Sequence, residues 1–85
     1  MSMLLTTAKA KTDARAVAVE VDMDSIHVTL ADGRVVSAPL EWFPRLRDAH
    51  PAQRANWRFI GSGIGIHWEE IDEDISVRSL LASEI

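Results

Sequence analysis

The chain has 85 residues, 47% of them apolar, and a formal charge of −4. That length holds one domain and that apolar share supplies a core. The absence of cysteine excludes a disulfide framework and a thiolate metal site, and it suits a reducing cytoplasm.

In chain order, residues 1–15 read as a flexible lead-in and 16–85 as one domain. The opening MSMLLTTAKAKTDAR has only a three-residue apolar run, too short for a signal peptide or a membrane span. AVAVEVD then alternates, with Val17, Val19 and Val21 on one face of a half-buried strand. DMDS turns the chain. SIHVTL alternates again, with Ile26, Val28 and Leu30 inward and His27 and Thr29 outward. The next turn, ADGR, can close in two ways. A two-residue loop sets Val28 against the polar Ser37. A three-residue loop sets Leu30 against Arg34, Val28 against Val36 and Ile26 against Ala38, which keeps the apolar pairs on one face. The second register is the one expected, with Gly33 left-handed in a bulge.

Pro39 ends the third strand. LEWFPRLRDAH reads as a short helix with Pro44 in its first turn, where a missing N–H costs little. Phe43, Leu46 and Trp42 are assigned to its sheet-facing side. Pro51 starts a further helical turn through Ala55. NWRFI is a fourth strand, with Trp57 and Phe59 on one face, and IGIHW a fifth, with Ile64, Ile66 and Trp68 on one face. A last helix begins near Ser76, which caps it, with Ile75 and Leu80 placed to form a hydrophobic staple. The expected fold is α+β: an antiparallel sheet of about five strands with two or three short helices on one face, in the order β-β-β-α-(α)-β-β-α.

Charge is segregated. Arg34, Arg45, Arg47, Arg54 and Arg58 against Glu41 and Asp48 give residues 33–58 a balance of +3. Arg78 against Glu69, Glu70, Asp72, Glu73, Asp74 and Glu84 gives residues 59–85 a balance of −5. Such a distribution can steer a charged partner.

Several chemistries are poorly served. GSGIG has the glycines of a phosphate cradle but joins two strands and lacks a following lysine, so it reads as a turn. His67 and Glu69 could offer two metal ligands from one strand face, but no third is evident, so no metal is assigned. The acidic run lacks the central glycine and the twelfth-position glutamate of a calcium loop. Nucleophilic catalysis lacks a cysteine or a serine in a strand–turn–helix elbow. Asp72, Glu73 and Asp74 instead read as negative charge before a helix N-terminus, a placement worth about 0.3–1 kcal/mol per group. Glu69, Glu70 and Glu73 have no structural duty in this reading.

Six pieces in order carry a resemblance: Asp32-Gly33-Arg34, Pro39-Leu40, Trp42-Phe43-Pro44, Gly65-Ile66-His67-Trp68, Asp72-Glu73-Asp74-Ile75-Ser76 and Leu80-Leu81. Over residues 16–82 the chain resembles a small bacterial domain-of-unknown-function family, number 2442. The resemblance implies a compact α+β fold, no known catalytic activity and no established cofactor. It also implies a gene beside a second small gene in toxin–antitoxin-like pairs. Some members carry a C-terminal helix-turn-helix, which this chain, ending at Ile85, is expected to lack.

The function expected is therefore a non-enzymatic protein-interaction module, the antitoxin-like half of such a pair. Glu69, Glu70 and Glu73 would meet a small protein with a basic surface. Pairing of two copies through a strand edge stays open. The alternative is a nucleic-acid-binding or regulatory accessory protein using Arg45, Arg47, Arg54 and Arg58. Neither reading requires a cofactor, a metal or a membrane, and Gly33, Pro44, Trp68, Asp72, Asp74 and Ser76 are assigned structural roles.

Overall fold

The computed structural model describes residues 12–82. Strands β1 (Ala16–Val21), β2 (Ser25–Leu30) and β3 (Val35–Pro39) form one antiparallel sheet in the order β1-β2-β3. The β2–β3 register is the one expected: Val28 faces Val36 and Ile26 faces Ala38. Leu30 N–H donates to the Arg34 carbonyl, and Gly33 holds φ 98°. Alternation along β2 buries Ile26, Val28 and Leu30, each worth about 1.5–3 kcal/mol in apolar area removed from water.

β1 departs from simple alternation. Its register shifts between Ala16 and Ala18, so Val17 is the extra residue of a bulge. Ala16 becomes the buried residue and Val17 is 54% exposed, while Val19 and Val21 face the core row but are only half-buried. The chain before β1 is tied to the β2–β3 turn: Asp13 N–H donates to Asp32 Oδ2 at 2.9 Å, and the Arg15 carbonyl accepts Ala31 N–H at 2.8 Å. The remainder of the expected lead-in, through residue 11, lies outside the described residues.

The expected helix after Pro39 is divided. Leu40–Trp42 form a 3-10 turn, and α1 spans Pro44–Arg47. Phe43, the residue before proline, is pushed out of the helical region, to φ −131° and ψ 78°. That break buries Leu46, leaves Phe43 half-buried and turns Trp42 outward, 52% exposed, contrary to its expected inward placement. α2 (Pro51–Arg54) follows, and Gln53 Oε1 accepts the His50 N–H at 2.9 Å.

The second half corrects the expected sheet. The described residues form two three-stranded sheets rather than one of about five strands. β4 (Arg58–Ile60), β5 (Gly65–Trp68) and β6 (Glu73–Ser76) form a second three-stranded antiparallel sheet in the order β4-β5-β6. β6 occupies the acidic stretch expected to be a helix approach. Carboxylates disfavour strands intrinsically, but tertiary pairing wins here. Ile75 lies opposite Ile66 in the core, and Asp74 lies opposite His67 outside it. Ile64, expected to share the face of Ile66 and Trp68, falls in the preceding turn and is 61% exposed.

The two sheets share one core. Ile26, Val28, Leu30 and Val36 belong to the same buried cluster as Ile66, Trp68 and Ile75. α3 (Val77–Ala82) contacts β3 of the first sheet and β5 and β6 of the second. Its start is capped as expected, Ser76 Oγ accepting the Ser79 N–H at 3.1 Å, and Ile75 and Leu80 are both buried. Trp68 is fully buried, and its indole N–H donates to the Arg54 carbonyl at 2.9 Å, which ties the second sheet to the end of α2.

Candidate functional site

Pairing β5 with β6 makes the acidic stretch a hairpin. Residues 69–72 are its turn, closed by Asp72 N–H to the Glu69 carbonyl at 3.4 Å, with Trp68 opposite Glu73. Asp72 takes φ 52°, a left-handed conformation that aspartate accepts more readily than most residues. The same pairing distributes the five carboxylates to different environments.

Cross-strand register sets Arg58, His67 and Asp74 side by side on the outer face of the second sheet. His67 Nδ1 meets Asp74 Oδ1, its Nε2 lies 3.1 Å from Glu69 Oε1, and Arg58 Nη2 lies 3.6 Å from the same oxygen. The result is a row of alternating charge. The His67 side chain is only 16% exposed, and its pKa is raised, first by the hydrogen bond to Asp74 and also by Glu69. Asp74 therefore serves a cross-strand pair rather than a helix N-terminus.

Glu69, Glu70 and Glu73 do not form one open strip. Glu69 is engaged by Arg58 and His67. Glu73 lies half-buried, and that burial raises its pKa against the opposing pull of Arg45. Glu70 stands exposed at the turn, with no hydrogen-bond or ion-pair partner among the described residues. Beside it the Asp72 side chain is 93% exposed, with Arg45 Nη1 4.0 Å from its Oδ2. The acidic tip is thus Glu70 and Asp72.

The four arginines of the alternative reading are each engaged within the chain. Arg45 donates to the Asp72 carbonyl at 2.6 Å. Arg47 pairs with Asp48 and Glu41. Arg54 donates to the Leu46 and Arg47 carbonyls at 3.1 and 2.6 Å, satisfying the last carbonyls of α1, and Arg58 faces Glu69. They form no open basic cluster of the kind phosphate contacts use.

A second polar group lies on the outer face of the first sheet. His27 Nδ1 is 2.7 Å from Ser37 Oγ, and its Nε2 is 2.8 Å from Asp22 Oδ2. Asp22 also caps its turn by accepting Asp24 and Ser25 N–H at 2.8 and 2.7 Å. Its pKa is lowered to about 2, by His27 first and then by those amides. The three residue types are those of a hydrolase triad. Here, however, Ser37 sits mid-strand directly opposite His27, so the group works as a cross-strand bracket. The hairpin register that pairs Ile26 with Ala38 already implies His27 opposite Ser37, and the DMDS turn supplies the aspartate. No group of three or more metal-ligating side chains converges among the described residues. No helix among them is long and apolar enough to cross a membrane.

Among solved structures, the chain is similar to a protein of unknown function from Rhodospirillum rubrum ATCC 11170. Identity is 30% over 81% of this chain and 86% of that one, with a TM-score of 0.70. Comparison with curated proteins finds no match. The family model described as "Protein of unknown function (DUF2442)" matches residues 16–85, and the chain belongs to that family.

Proposed function

We propose that the protein is a non-enzymatic interaction module of a reducing cytoplasm, the antitoxin-like member of a two-gene pair. In this reading it meets a small basic protein through the tip of the β5–β6 hairpin. One observation carries it: the turn presents Glu70 without a partner among the described residues and Asp72 with its carboxylate in solvent, while Glu69 and Glu73 are paired or half-buried. Charge held on a short, paired hairpin is pre-ordered, so little conformational entropy is lost when a partner binds. Two solvent-exposed carboxylates at a hairpin tip attract lysine and arginine and speed encounter.

Co-expression with the product of the adjacent gene, followed by size-exclusion chromatography, tests the proposal. Wild-type protein is expected to co-elute. Glu70→Lys combined with Asp72→Asn is expected to fold and to lose affinity by about tenfold at low salt. Absence of co-elution, or unchanged affinity in the double variant, would overturn it.

A further inference from the structure

β1 is an edge strand of its sheet. The Asp22 N–H bond to the Ser25 carbonyl sets its phase. In an antiparallel ladder bonded pairs alternate, so Glu20 and Ala18 bond toward β2, while Val19 and Val21 turn N–H and C=O to the open side. Among the described residues only Ala16 is bonded across that side, to the Gly63 carbonyl at 2.8 Å. Beyond it lies a groove of about 400 Å³, whose apolar lining includes Val19, Val21, Met23 and Trp57, beside the charged Glu20, Asp22 and Arg54. Val19, Val21 and Trp57 are half-buried along it, and Met23 is exposed.

We propose that this edge pairs with β1 of a second copy, antiparallel about a two-fold axis at Val19, joining two three-stranded sheets into one of six. The sequence of the edge selects this partner and this register. Centred on Val19, each Val19 meets the other, Val17 meets Val21, and Glu20 meets Ala18. The residues brought into bonding register are those whose backbone groups face outward. Centred on Val21, the same strands would set Glu20 against Asp22, like charges directly opposed, which is destabilising. A two-fold contact uses the same patch on both copies, and the two core-facing sides fall on one face of the joined sheet. Each copy's Val19, Val21 and Trp57 are then covered. Val17 is the bulge residue, so the flanking pairs are looser than the central one. The patch is also smaller than the roughly 20–30 residues per side of a standard interface, so association in about the micromolar range is expected.

Sedimentation velocity of the full chain, from about 10 μM to about 1 mM, tests the proposal. The apparent mass should rise from 9.4 kDa toward twice that value. Ala18 is exposed on the outer face, so its substitution spares the core. Ala18→Lys, which faces Glu20 of the second copy, should tighten association by about two- to tenfold, and Ala18→Glu should weaken it by a similar factor. Val19→Pro removes only an outward N–H, a position where edge strands accept proline, and should leave a folded monomer by circular dichroism. A wild type that stays monomeric throughout would overturn the proposal and leave the groove to another protein or to residues 1–11. Equal association of the Ala18→Lys and Ala18→Glu variants would also overturn it.

Discussion

Gly33 and Gly63 both hold positive φ, at 98° and 107°, yet they should respond differently to a side chain. A Cβ at Gly33 would meet nothing within 4 Å, so Gly33→Ala should cost only the backbone preference, about 1–2 kcal/mol. A Cβ at Gly63 would lie 2.5 Å from the Ala16 carbonyl oxygen, at the junction where β1 reaches the β4–β5 turn. Gly63→Ala should therefore be the more destabilising of the two in urea unfolding, and the reverse order would refute the close approach. Asp72 offers a complementary test. Asp72→Gly should be neutral or stabilising, because Arg45 bonds the main-chain carbonyl and not the side chain at close range. Asp72→Val, at φ 52°, should lose about 1–2 kcal/mol. Equal melting temperatures for these two variants would count against a left-handed turn.

The second sheet contributes a pH dependence near neutrality through His67. His67 holds its proton more tightly in the native state than unfolded, through Asp74 first and Glu69 also. A raised folded-state pKa stabilises fully below the unfolded value, about 6.5, and that contribution is lost as pH rises through the folded value. The urea midpoint should therefore fall between pH 6 and pH 9, and His67→Gln should flatten that change. An equal fall in the variant would assign it to other groups. The elements differ in how far they could be read from sequence. The β2–β3 hairpin was legible because Asp32-Gly33 and apolar alternation select the same register. The Ser76 cap was legible because its cue is local. β6 was not, because its acids have low strand propensity and its pairing with β5 is a tertiary event. The outward turn of Trp42 follows from the restriction that Pro44 places on Phe43, a constraint present in the sequence that apolar spacing alone does not express.

Across the whole molecule, two small sheets share one core that Trp68 and α3 help to close. The segregation of charge along the chain does not carry over into space. Arg45 and Arg58 reach across to the acidic half, at the Asp72 carbonyl and Glu69, and Glu69, Glu73 and Asp74 are paired or half-buried where they lie. A net-charge reading therefore expects a broader acidic surface than the fold presents. Among the described residues of the acidic half, the most solvent-exposed carboxylates at the hairpin tip are Glu70, without a partner, and Asp72, only loosely paired with Arg45. The most direct test is a titration of isotope-labelled protein with the adjacent gene product, followed by amide chemical shifts. The account predicts that the largest changes fall at residues 69–72 and diminish as salt is raised. Changes centred on 17–23 with residues 69–72 unmoved would contradict it.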